Sequence, residues 1–232
     1  MTIDTDLATL RAGFMGTVSA PGDEDYDDAR SLWNGMIDRR PRLIARCESA
    51  ADVAAAIRFG VESGLELAVR GGGHSFSGAS CVDDGLMIDL SRMNSVVVDP
   101  VAKTATCGPG CKLSDVDAAT QEHGLAVPGG TISHTGIAGL TLGGGFGWLT
   151  NRHGLTLDNL VGVDVALADG RLVRASAEEN ADLFWAIRGG GGNFGVVTSF
   201  EYRLHEVGPM VNLGLFFWDL DRGGDMLRLV RE

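Results

Sequence analysis

Leu65-Glu66-Leu67-Ala68-Val69-Arg70-Gly71-Gly72-Gly73-His74-Ser75 carries a strand-like apolar stretch straight into three glycines and a histidine. Without a Cβ, glycine reaches positive φ and lets a ligand approach the backbone, so successive N–H groups can converge on an anion. A phosphate-bearing cofactor suits such a loop, with the imidazole of His74 as a nucleophile beside it. A bare flexible turn is the competing reading of the same residues, and the rest of the chain decides between them.

Outward from this loop, the preceding text is regular. Residues 43–47 (LIARC) predict a strand, Ser49 with Asp52 an N-cap pair, and 50–63 a helix stopped by Gly64. With 65–69 this makes a strand-helix-strand unit, which brings its two strands parallel through a right-handed crossover. Beyond the loop, 86–90 predict a strand, SVVVD and KTATC a hairpin around Pro100, and 113–123 a helix ended by Gly124. Residues 127–149 are almost all small or apolar, as in a buried loop and short helix lying against a ligand. Asp169-Gly170 between VGVDVALA and RLVRAS reads as a two-residue hairpin with both turn positions at φ > 0. A third glycine cluster, at 188–195, follows the amphipathic NADLFWAI and precedes the strand VVTSFEYRL. Gly190, Gly192 and Gly195 there satisfy GxGxxG, but the motif follows a helix and opens a strand, the reverse of a Rossmann unit.

Composition limits the function classes. The chain has 232 residues and a formal net charge of −12, the wrong sign for tracking nucleic acid or anionic lipid. It has neither a secretory leader pattern nor an apolar run long enough to span a bilayer, so a cytoplasmic location is expected. Cys47, Cys81, Cys107 and Cys111 form no CxxC pair and lack histidines at ligand spacing; they read as reduced, structural thiols, and no metal site is expected. Residues 1–40 are acidic and weakly patterned, an extended arm or solvated face.

Four motifs in this order, PRLIARCESAADVAAAI leading to AVRGGGHSFSG, TGIAGLTLGGGFGWL, GLTLDNL, and LFWAIRGGGGNFGVVTSFEYRL, resemble a known family. It is the covalent flavoproteins with the FAD-binding fold of vanillyl-alcohol oxidase and para-cresol methylhydroxylase (PCMH-type), in particular the bacterial berberine-bridge-enzyme-like oxidases. The resemblance implies an α+β FAD-binding module over 39–209, in two small subdomains of about 39–98 and 99–209 that each supply one cofactor wall. An N-terminal arm (1–38) precedes it, and only the start of a substrate domain follows (210–232). It implies that Arg70, Gly71, Gly72, Gly73, His74, Ser75 and Gly78 hold the FAD pyrophosphate, with His74 bonded to the flavin 8α-methyl carbon. Gly130, Thr135, Gly136, Gly139, Gly143 and Gly144 would line the ribityl chain and ring, and backbone near Val197 would meet the adenine. Relatives with a second tether carry a cysteine where this chain has Ile132 and Ser133, so a single attachment is implied.

The resemblance also implies hydride transfer from a small-molecule alcohol or amine carbon to flavin N5, with O2 as electron acceptor. The catalytic base, of unknown identity, would lie in the substrate domain. A non-catalytic FAD-binding or interaction protein and a glycine-rich domain without flavin remain alternatives. His134, in the implied flavin wall, is open to contact with the ring or, by default, satisfies nearby backbone as a polar loop residue, and His123, His153 and His205 read as helix-end, turn and strand residues. Phe146, Trp148 and Phe194 are open to ring stacking or, by default, core packing. A strand at 211–218 with an uncovered apolar face would invite self-association or a partner chain.

Overall fold

The computed structural model describes Ala8 and residues 10–212 and 214–231. The readings that fall on residues 1–7, 9, 213 and 232 lie outside the described residues. Two sheets organise the rest. The first has the order β1-β2-β4-β3, from β1 (Thr17–Ser19), β2 (Leu43–Arg46), β3 (Leu67–Arg70) and β4 (Leu86–Asp89). The second has the order β5-β6-β10-β8-β9, from β5 (Val96–Asp99), β6 (Thr104–Cys107), β8 (Leu160–Ala166), β9 (Leu172–Ser176) and β10 (Val196–Arg203). A small pair joins β7 (Leu125–Ala126) to β11 (His205–Glu206).

The helix between β2 and β3, α2 (Ala50–Glu62), forms where its sequence says it should. Ser49 Oγ accepts from Asp52 N while the Asp52 carboxylate accepts from Ser49 N, closing a capping box that contributes about 1 kcal/mol. Asp52 also accepts from Met15 N and Glu48 N, and Gly64, at φ +64°, releases the chain from the helix. Val53, Ala56, Ile57 and Phe59 pack into one core with Leu43, Leu86 and Ile88 of the first sheet and with Ala166 and Val196 of the second. Thus α2 ties the two sheets together.

The expected strand-helix-strand unit is parallel, but its strands are not neighbours: β4 lies between β2 and β3 and runs parallel to both. The shared ladder places Arg70 opposite Asp89 and aims the glycine loop outward from the C-terminal end of three parallel strands. The second sheet is antiparallel throughout, with β5 and β6 paired as expected. Its core of Val163, Val165, Phe200 and Tyr202 is covered by α3 (Leu113–Gln121), α4 (Ile137–Leu142) and α6 (Ala181–Gly190), and includes Cys107 and Cys111. A buried Thr141 Oγ1–Tyr202 OH hydrogen bond of 2.7 Å pins α4 to β10.

Three expectations are corrected. Residues 17–30 are not a free arm: β1 pairs with β2, and α1 (Tyr26–Arg30) buries Tyr26 and Ala29. The acidic run is consumed locally, since Asp25 pairs with Arg46 at 2.9 Å and Asp27 with Arg30 at 2.6 Å. The β8–β9 turn holds positive φ only at Gly170 (+79°). Gly170 N donates to Leu167 O, and Leu167 N donates to Arg171 O, a longer loop closed by one left-handed glycine. Finally, the described residues of 211–218 form no strand; they find no neighbouring strand to pair with, and an unpaired strand is not stable alone. Val211, Leu215, Phe216 and Phe217 are exposed, ahead of α7 (Gly223–Arg231).

All four cysteines are free and buried. Burial raises the thiol of Cys107 to about 12 and that of Cys111 to about 11, keeping them protonated and inert. Among the described residues no helix is long and apolar enough to cross a membrane.

Candidate functional site

The loop after β3 faces the 130–147 segment across a close backbone approach. A Cβ on Gly72 would strike the Cα and N of Gly136, and one on Gly136 would strike the backbone of Gly72. Only glycine at both positions lets the two walls touch. The second wall is held by its own backbone: Leu113 N donates to Thr135 O, Ser114 N to Ser133 O, and Ile137 N to Cys111 O. Gly73 takes φ +70°, as the loop's sharp turn requires.

Two adjoining cavities open between these walls. One, of about 620 Å³, is lined by Gly71, Gly72, Gly73, His74, Ser75, Ser80, Thr135 and Gly136. The other, of about 320 Å³, is lined by Gly143, Gly189, Gly191, Val196, Val197 and Phe200. Val69, Gly71, Gly139 and Gly192 belong to both linings. The result is a long cleft with His74 at one end, glycine backbone in the middle and the apolar Val197–Phe200 pair at the other.

The middle of the cleft is lined by backbone donors. The amides of Gly71, Gly72, Gly73, His74 and Ser75 find no acceptor among the described residues. Gly73 is buried and the other four residues are half-buried; buried backbone donors are nearly always paired in folded proteins, so the row is open to a polyanion or water. Ser80 Oγ, in the lining of the larger cavity, is also buried without a partner.

At the far end His74 Nε2 lies 2.7 Å from His134 Nδ1, and the His74 ring stacks on Trp33 with centroids 5.0 Å apart. Burial, with His134 and Lys112 nearby, lowers the His74 pKa and favours the neutral imidazole. His134 therefore bonds a side chain, not the nearby backbone as its sequence position suggested.

Most of the sequence candidates converge here, whereas Arg70, Gly78, Gly130 and Gly144 lie outside both cavity linings. Arg70 Nη1 donates to Ala29 O. Gly78, at φ +76°, abuts Ile37, Gly130 packs on Leu140 and Leu113, and Gly144 takes φ +111°; these positions shape the loops. Phe146, Trp148 and Phe194 are exposed and lie outside the two sheet cores of the described residues. Sequence reading missed Ser80, Asn193 and Trp33. The segment carrying Trp33 is fixed to the glycine loop by Trp33 N to Gly73 O and by Arg39 Nη1 to the carbonyls of Gly78 and Cys81. Among the described residues no group of His, Cys, Asp or Glu is arranged to hold a metal.

A family model described as an FAD binding domain matches residues 41–176. The chain belongs to this FAD-binding family. The FAD-linked oxidoreductase pgmH of Aspergillus terreus is 42% identical, over 99% of this chain and 47% of its own length. Among solved structures, 6-hydroxy-D-nicotine oxidase from Arthrobacter nicotinovorans superposes with a TM-score of 0.82 at 41% identity, over 84% of this chain and 43% of that one. Glucooligosaccharide oxidase from Acremonium strictum, described with a 6-S-cysteinyl, 8α-N1-histidyl FAD, gives 0.81 at 38% identity, over 89% and 43%. The α+β fold is thus that of the PCMH-type FAD oxidases. The chain spans about half the length of the relatives it matches.

Proposed function

We propose that this chain binds FAD in the long cleft, as the flavin-binding portion of an oxidoreductase. The row of five amides without acceptors carries the reading. Such a nest binds a diphosphate, and its place midway along the cleft suits a ligand with a flat head at either side. FAD fits the residues present: Gly139 and Gly143 leave room along the second wall, Ser80 offers a free hydroxyl, and Val196 with Val197 offers an apolar seat for the adenine.

His74 forms a single covalent link to the flavin 8α-methyl carbon. Its neutral imidazole is nucleophilic, and the histidyl FAD of glucooligosaccharide oxidase supports this role. The cysteinyl link of that protein has no counterpart, because Ile132 and Ser133 occupy the corresponding wall and the four cysteines are buried elsewhere.

The FAD-binding module extends over 39–209, with walls from 39–98 and 99–209. When bound, FAD supplies a two-electron acceptor for hydride from an alcohol or amine carbon of a small molecule, with dioxygen as final acceptor. The oxidase names of the relatives support that activity. No catalytic base is assigned to residues 1–232. The exposed apolar residues Val211, Leu215, Phe216 and Phe217 provide a surface for another copy or a partner chain.

An absorption spectrum before and after acid precipitation tests the reading. Flavin bands that stay with the wild-type pellet and leave it in His74→Ala are expected. A colourless protein that takes up no added FAD would refute the proposal, and an acid-stable link surviving in His74→Ala would refute the choice of nucleophile.

A further inference from the structure

The 2.7 Å contact between His74 Nε2 and His134 Nδ1 admits two tautomer arrangements. If His134 donates, Nε2 of His74 is used as the acceptor and its Nδ1 carries hydrogen, so the ring keeps no free lone pair. If His74 donates its Nε2–H, its Nδ1 keeps a lone pair and remains a nucleophile. The second arrangement leaves the free lone pair on Nδ1, the nitrogen of the 8α-N1-histidyl link described for glucooligosaccharide oxidase.

Resting on the FAD reading above, we infer that His134 is the positioning residue for flavin attachment: its Nδ1 accepts the Nε2 proton of His74 and leaves Nδ1 of His74 as the attaching atom. The distance lies within the hydrogen-bond reach required of a general base. The His134 side chain is exposed, so a proton taken at Nδ1 is readily lost to water from the far side of the ring. Trp33, stacked on His74 at an interplanar angle of 20°, fixes the plane in which the nucleophile turns. The lowered His74 pKa is consistent with a ring that starts neutral.

His74 Nδ1 forms a bond to the 8α carbon, and one C–H bond of that methyl group breaks. The C–H electron pair reduces the flavin by two electrons. The methyl proton and the Nε2 proton of His74, the latter handed on through His134, match the two protons of the reduced flavin. Dioxygen then takes two electrons and two protons, giving hydrogen peroxide and oxidised, tethered FAD.

The experiment follows covalent incorporation with time. The 232-residue chain, produced under riboflavin depletion, is mixed with FAD; acid-stable flavin fluorescence reads the link and a filtration assay reads total bound FAD. His134→Ala is expected to bind FAD as wild type does but to attach it roughly 10²-fold more slowly, with added imidazole restoring the rate. His134→Asn, which keeps an acceptor near the Nδ1 position but takes up no proton, is expected to stay slow. Attachment at the wild-type rate in His134→Ala or His134→Asn would overturn the inference. So would failure of imidazole to rescue His134→Ala, or a wild type that binds FAD without ever linking it. A wild type that binds no FAD removes the parent reading as well, which separates the two failures.

Discussion

Gly139 offers the sharpest separation of folding from ligand binding. It sits inside α4, nothing lies within 4 Å of where its Cβ would be, and it lines both cavities. Replacing a helix-interior glycine by alanine contributes about 0.8–1.0 kcal/mol to helix stability. For a chain of this size, that raises Tm by about 2–4 °C. The added methyl enters the waist of the cleft, and if FAD fills it at packing density the overcrowding costs about 1–3 kcal/mol, or roughly 5- to 150-fold in affinity. Differential scanning fluorimetry of the apoprotein and a flavin-fluorescence titration of His74→Ala and His74→Ala/Gly139→Ala, in which no covalent link masks the equilibrium, measure the two terms. Opposite signs are expected: a more stable apoprotein and a weaker complex. Unchanged FAD affinity would refute the placement of the cofactor along Gly139, whatever Tm does.

Three further expectations concern the frame. Gly72→Ala drives a side-chain carbon into the Gly136 backbone and should destabilise the apoprotein by about 1–3 kcal/mol, read as a lower Tm; an unchanged Tm would mean that the two walls do not touch. Thr141→Val strands the Tyr202 hydroxyl, which is wholly buried, at a cost of about 1–3 kcal/mol. Adding Tyr202→Phe removes the orphaned group and should recover part of the loss, and a double variant no better than Thr141→Val would show that this bond is not the cause. Burial lowers the pKa of His74, next to His134 and Lys112, and that of His205, next to His153, Arg203 and Arg152, below the ordinary 6.5. The unfolded chain then binds more protons, so this contribution is complete above 6.5 and is lost as the pH falls toward the folded-state values. Thermal melts from about pH 7.5 to 5.5 should show declining stability, with a shallower decline in His205→Gln; a rise on acidification over that window would contradict the sign.

Local chemistry was legible wherever it acts through neighbours in sequence. Ser49 with Asp52 gave the capping box, Pro100 the β5–β6 hairpin, and the glycine runs the cleft walls. What distant segments decide was not legible. Nothing in residues 65–90 states that β4 inserts between β2 and β3, because parallel register is set by pairing across many residues of intervening chain. The polar text of 17–30 hid β1 and α1, whose order comes from pairing with β2, the Asp25–Arg46 ion pair and the burial of Tyr26. Conversely, the apolar text of 211–218 suggested a strand that has no partner strand among the described residues. At the site, glycines announce themselves by type, whereas Ser80 matters only because it is buried and unpaired, and Trp33 and His134 only because folding brings them to His74.

The contact between Gly72 and Gly136 also limits how this protein can be repaired. Most packing conflicts have second-site suppressors: an enlarged residue is relieved when its neighbour shrinks. Here both partners are already the smallest residue available, and the obstructing atoms are main chain. A genetic screen starting from Gly72→Ala should therefore return true revertants and distant stabilising changes, but no compensating substitution at position 136.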